Sequence, residues 1–200
     1  MKKIVLLLSL LVLPFVFQQC CRENVQHYAL DRFELYLVQD SLFEELAEQD
    51  SVAFEKHAFR VVPGMRFANA HTGGSSLLAL TCYQYYRSLS GVLSIRLEAE
   101  DALFSGIQSG DTVQHLAEFR PMDAVYAPDS GWISAAALGH RINEQMREGA
   151  TRGSHNGVPR LDFVFRFKQR TLPGRHRVKL ITGLSDGRIS TGLSEPFAIQ

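Results

Sequence analysis

The sequence predicts a mainly β chain, an antiparallel β-sandwich carrying one inserted helix at about 129–148. Three observations carry that expectation. "VLSIRLEAE" (92–100) and "LDFVFRFK" (161–168) alternate apolar and polar residues with period two, the pattern of strands that pack on one face and meet water on the other. Turn residues separate such segments: Pro173 and Gly174 in "RTLPGR", Asp186 and Gly187 in "LSDGR", the latter suited to the positive φ of a tight hairpin. "DSGWISAAALGHRINEQMREG" instead has candidate caps in Asp129 and Ser130, three alanines and a stop at Gly149, which is helix chemistry.

The elements follow in order. "RFELYLVQ" opens the domain as a strand, with Phe33, Leu35 and Leu37 on one face and Glu34, Tyr36 and Val38 on the other. "DSLFEELAEQD", Asp40 to Asp50, has the spacing of a short helix. "HAFRVVPGMRFANA" is β-prone, and Pro63 with Gly64 implies an edge or a bulge. "HTGGSS" is a loop, and "LLALTCYQYY" is read as extended. In "VLSIRLEAE" the core face is Leu93, Ile95, Leu97 and Ala99; in "LDFVFRFK" it is Leu161, Phe163, Phe165 and Phe167. Trp132, Ile133, Ala136, His140 and Met146 form the expected helix stripe. "HRVKLITG" turns His176, Val178, Leu180 and Thr182 to one side, and "ISTGLSEPFAI" is a last strand in which Pro196 fits an edge.

Strand, turn, strand, Ser-Asp-Gly hairpin and strand is how an immunoglobulin-like domain ends. The Cys…Trp…Cys hallmark of antibody domains is missing, because Trp132 falls in the helical segment. The expectation is therefore immunoglobulin-like architecture outside the antibody family.

Chain length bounds the domain count. The chain has 200 residues, 46% of them hydrophobic and 21% charged, enough for one domain with a full core. Lys and Arg total 21 and Asp and Glu total 21. A nucleic-acid binder ordinarily carries a basic surplus, so no nucleic-acid partner is expected.

The first residues read as an address. Lys2 and Lys3 precede an apolar run from Ile4 to Phe17. That run is short of the roughly 20 residues a membrane-spanning helix needs, but it suits the core of an export leader. Phe17, Gln18 and Gln19 are not the small residues of ordinary leader cleavage, and Cys20 and Cys21 follow at once. The segment resembles a bacterial lipoprotein leader with a relaxed lipobox, Gln19 standing where a small residue is usual. The resemblance implies a signal peptide over 1–19, acylation of Cys20, a lipidated stem over 20–28 and one domain over 29–200. Cys21 is the alternative anchor. Each buried methylene contributes about 0.8 kcal/mol, so several chains on one cysteine hold a protein firmly to a membrane. Cys21 and Cys82 remain as a possible disulfide in an oxidising compartment, set against a buried free thiol at Cys82.

The layout as a whole — relaxed lipobox, "DRFELYL", "GVLSIRLEAEDALF", helix, "HRVKLITGLSDGRISTGLSEPFAI" — is similar to small Gram-negative envelope lipoproteins of unknown function. That resemblance implies a lipid-anchored location in the cell envelope, at the outer membrane, and carries over no functional residues.

Catalytic signals are weak. The seven histidines show no helical metal-ligand spacing and no HExxH. His71 with Ser75 or Ser76 lacks the nucleophile elbow, and a Gly/Ser loop is the better reading. "EAED", 98–101, lacks an EF-hand pattern. No cofactor is expected. "YQYYR" is the candidate binding surface: Tyr83, Tyr85, Tyr86 and Arg87 are residue types favoured at recognition sites, although rings that cap a sandwich edge are the better reading. The expected function is a non-enzymatic interaction or structural module of the envelope with a protein or glycan partner. The alternative is a carbohydrate- or peptide-binding accessory lipoprotein.

Overall fold

The computed structural model describes residues 24–39, 51–68, 84–122, 131–151 and 161–199. Ten strands and one helix follow one another: β1 (Asn24–Gln39), β2 (Ser51–Val52), β3 (His57–Ala68), β4 (Gln84–Ser88), β5 (Val92–Ala99), β6 (Ala117–Pro121), α1 (Ala135–Thr151), β7 (Phe163–Phe167), β8 (Val178–Leu184), β9 (Ile189–Leu193) and β10 (Ala198–Ile199). The chain is mainly β, with two principal sheets and one helix. A mixed five-stranded sheet has the order β4-β1-β3-β7-β6, and an antiparallel three-stranded sheet the order β5-β8-β9. β10 and β2 form a small parallel pair. The short helix expected at 40–50 and the loop at 71–76 lie outside the described residues.

β1 begins at Asn24, inside the segment expected to be stem. Tyr28 is the reason. It is 0% exposed, pairs opposite Phe67 in β3 and packs on that ring. β1 then runs antiparallel to β3 and parallel to β4. Leu30 lies opposite Met65 and Phe33 opposite Pro63, so Asp31 and Arg32 face the single residue Gly64. This is a bulge in β1. Pro63 is accommodated because β3 pairs with β7 only through Phe59, Arg60 and Val61, so beyond Val61 the missing N–H costs no ladder bond on that side.

The core is aromatic. Phe163, Phe165 and Phe167 alternate inward from β7 as expected. Phe165 stacks on Phe59 with centroids 4.8 Å apart, and Phe197 meets Phe59 edge-on at 4.7 Å. His176 before β8 and Val178, Leu180 and Thr182 within it are all buried, again as expected. The hairpin closes with Gly187 at φ 83. Arg188 donates to both carboxylate oxygens of Asp186, which holds that carboxyl below its ordinary range. The Arg188 guanidinium also donates to the carbonyl of Leu30, tying the hairpin to the other sheet.

Three expectations are corrected. The sheets are not antiparallel throughout, because β4 runs parallel to β1. Leu93 is not in the core; it is 73% exposed, and Val92 is buried instead. The pairing of β5 with β8 slips between Val92 and Ser94, and a one-residue slip reverses every side chain beyond it. The last strand is split: β9 ends at Leu193 and β10 restarts at Ala198 beside β2. Within β9 the pattern is inverted, with Ser190 buried and Ile189 and Leu193 exposed. The inner side of β9 lies against β1. The Ser190 hydroxyl donates to the carbonyl of Asp31, Ser194 forms a parallel bridge with Leu35, and Gly192 sits over Phe33.

The helix is shifted relative to expectation. It starts at Ala135, with Ser134 as cap accepting the N–H of Ala137, and passes Gly149 to Thr151. Its buried stripe is Leu138, Ile142 and Met146, while Ala136 and His140 face out. Trp132 and Ile133 precede it, Ile133 bridging Phe119 of β6. α1 packs on β4, β5 and β6. The two sheets are thus joined by β9 on β1, and the helix packs across β4, β5 and β6.

Tyr28 supplies a pH test. Burial pushes its hydroxyl from the ordinary 10.0 up to about 12, against a smaller opposing pull from Ser88. A raised folded value leaves stability intact below pH 10. As pH rises further the unfolded chain ionises first, and stability drains away until about pH 12, by about 3 kcal/mol in all. Thermal melts from pH 8 to 12 should show this loss in the native chain and a flatter profile in Tyr28→Phe. Parallel profiles would refute it.

Candidate functional site

Most of the residues singled out from sequence lie outside the described residues: Cys20, Cys21, Cys82, Tyr83, and the His71/Ser75/Ser76 grouping. The strand position of Tyr85 is described, in register with Val25. The binding-surface expectation is corrected at Tyr86, which is buried in the core and packs edge-on against Phe67. β4 is an edge strand facing the core on one side, and period two sends Tyr86 inward and the neighbouring Arg87 outward. Of the two side chains described in the cluster, Arg87 is exposed and Tyr86 is buried.

The carboxylates of "EAED" diverge. Glu98 pairs with Arg96, Glu100 with Lys179, and Asp101 accepts the backbone N–H of Arg177. Among the described residues, no three His, Cys, Asp or Glu side chains are grouped so as to hold a metal ion, and no helix is long and apolar enough to cross a membrane.

His57 and His176 have structural partners. His57 is 1% exposed; its Nδ1–H donates to the carbonyl of Phe54 and its Nε2 accepts the N–H of Phe167 at 3.0 Å. His176 Nε2 lies 2.7 Å from the carbonyl of Leu172. Two guanidinium groups lie over the Trp132 ring, Arg166 at 4.2 Å and Arg120 at 4.9 Å from its centre. Arg166 also holds Glu118 at 2.6 Å. This outer patch is cross-braced by its own charges, a stabilising arrangement.

Two concavities remain. A hollow of about 550 Å³ lies under the 170–175 loop, beside Ala198 and Ile199. A smaller groove of about 250 Å³ runs between β5 and α1. One wall is strand, from Val92 to Ile95; the other is the helix face of Ala135, Ala136, Gly139 and His140, with Gln114 at the end. The groove exists because the helix presents alanine and glycine there. Asn143 anchors the helix to the strand by two hydrogen bonds to Val92, its Oδ1 accepting the N–H and its Nδ2 donating to the carbonyl. The Oε1 of Gln114 is buried in the same region with no hydrogen-bond partner, which costs folding energy unless something else uses it. Sequence reading missed this site. The signal present in the sequence was Gly139 in mid-helix, a residue that weakens a helix by roughly 1 kcal/mol relative to alanine.

No protein-family model matches the chain, and neither a curated protein nor a solved structure matches it.

Proposed function

We propose that this chain is a lipid-anchored protein of the cell envelope, at the outer membrane, that acts as a non-enzymatic interaction module on an immunoglobulin-like sandwich. The observation that carries the location is the apolar leader ending at Cys20 and Cys21. Strand β1 begins at Asn24, four residues after Cys20. Four residues reach at most about 14 Å, so an acylated Cys20 would hold the folded body close to the bilayer.

The immunoglobulin-like reading is supported by strand order. Setting aside the short β2 and β10 and the edge strand β4, seven strands remain. The first, second, fifth and fourth of these share one sheet, as β1-β3-β7-β6, and the third, sixth and seventh share the other, as β5-β8-β9. Constant-type immunoglobulin domains divide their seven strands in this way. A ring at the entry to the sixth strand that bonds upstream backbone, here His176 to Leu172, stands where such domains often use a tyrosine. The parallel β4, the helix between the fourth and fifth strands, and the missing inter-sheet cysteine pair are this chain's departures.

Metabolic labelling with a palmitate analogue and mass spectrometry of the mature N-terminus test the anchor. The expected result is acyl chains on Cys20 and release of the protein from membranes in Cys20→Ala. Unmodified thiols at both Cys20 and Cys21 in the native protein would overturn it.

A further inference from the structure

We propose that the groove between β5 and α1 is a peptide-binding site, in which an extended segment of a partner protein pairs with the β5 edge at Ile95. The inference gives the interaction module a partner class, but it rests on the groove and not on the lipid anchor.

β5 is the outer strand of its sheet, and an outer strand presents unpaired N–H and C=O groups. Most of this edge is already covered. At one end the Asn143 amide satisfies Val92. At the other, residues 110–113 pair with it: Val113 donates to Leu97, Ala99 donates to Asp111, and Gly110 donates to Ala99. These bonds fix which residues face outward. Leu97 and Ala99 turn their peptide groups away from β8, so alternation along the strand sends the N–H and C=O of Ile95 the same way. No bond among the described residues takes either group. The opening from Val92 to Leu97 is about 16 Å long at 3.3 Å per residue, room for a short stretch of a partner strand.

The occupant is a main chain because the opening asks for one. Ile95 offers a donor and an acceptor on one residue, and another strand supplies the complementary pair at the ladder spacing. The buried Gln114 Oε1, without a partner among the described residues, lies at the same groove and can accept a further peptide N–H. The opposite wall is made of small residues, and packing does not demand them: a Cβ added at Gly139 would meet only Val92 Cγ1, at 3.9 Å. The glycine thus weakens the helix while leaving space that the fold itself does not fill. Leu93, 73% exposed at the lip, gives an incoming apolar side chain a contact.

The test uses the full-length chain in detergent micelles and a combinatorial library of N-acetylated, C-amidated pentapeptides. Selected peptides should bind with micromolar affinity and slow hydrogen exchange at the Ile95 amide, which should exchange freely without peptide. N-methylation of the peptide bond that pairs with Ile95 should weaken binding about tenfold, the scale of one lost hydrogen bond. Gly139→Leu and, independently, the exposed Ala136→Trp should block the groove and lower affinity at least about tenfold while thermal melting still reports a folded domain. Three results would overturn the proposal. One is a library with no member binding below millimolar. Another is binding that both blocking variants leave unchanged. The third is an Ile95 amide already protected in the free chain, whether by its own segments or by a second copy at rising concentration. Each reads separately from lipidation, so a failed anchor and a failed groove are distinguishable.

Discussion

Gly192→Ala is expected to destabilise the domain by about 4 kcal/mol or more, the range reserved for steric conflict in a closed interior. A Cβ at this position would sit 2.3 Å from the carbonyl oxygen of Phe33, 2.6 Å from Leu35 Cδ1 and 3.0 Å from the carbonyl carbon of Phe33. Two of those atoms are backbone of β1, and backbone at the junction of two sheets cannot rotate aside as a side-chain tip can. Relief requires β9 to lift from β1, which would strain the Ser190 bond to Asp31 and the Ser194 bridge to Leu35. At roughly 2–4 °C per kcal/mol for a domain of this size, the melting temperature should fall by about 10 °C. Thr191→Ala, next door and facing solvent, is the control and should change little. Equal melting of the two variants, followed by circular dichroism, would mean that β9 does not lie on β1.

His57→Leu should cost about 3 kcal/mol despite keeping an apolar side chain of similar bulk. The imidazole joins the turn before β3 to β7, donating to Phe54 and accepting from Phe167. It also stacks between those two rings, with centroids 5.1 and 6.0 Å away. Leucine leaves the buried Phe167 N–H with no acceptor, and an orphaned buried donor costs its full desolvation. His57→Gln retains both a donor and an acceptor and should recover part of the loss. Urea denaturation of the three proteins measures the order. A leucine variant as stable as the native chain would show that Phe167 finds another acceptor and that the histidine is replaceable packing.

These two residues also mark where sequence reading stops. Period two assigned the inward faces of β7 and β8 correctly, because both strands are regular through their paired lengths: Phe163, Phe165 and Phe167, then Val178, Leu180 and Thr182. It failed at Leu93, since a slip in pairing with β8 is invisible in β5 alone. It made no assignment in β9, where Ser190 and Gly192 turn inward and Ile189, 71% exposed, turns outward. Hydrophobic patterning assumes an apolar interior. The surface under β9 is the backbone of β1 at close range, and only small or hydrogen-bonding residues fit there. The helix was legible as a helix from its composition, but its buried stripe of Leu138, Ile142 and Met146 depends on which strands flank it.

The candidate site divides in the same way. Tyr86 and Arg87 were visible as residues of a recognition type, and alternation within β4 decided that only the arginine faces water. The β5 groove could not be read from the chain. It requires Ile95, Gln114 and Gly139 to meet, and these are separated in sequence and brought together only by packing.

By itself the sequence determined what local chemistry controls: strands where apolar residues alternate, a hairpin at Asp186-Gly187 and a helix after the "DSGWIS" segment. The tertiary structure decided how those pieces share a surface: the bulge that exposes Leu93, the seat of β9 on β1, and the edge at Ile95 that no described residue pairs. The physical reason is range. Propensity and turn chemistry act over a few residues, whereas register, close backbone approach and a vacant strand edge depend on segments tens of residues apart.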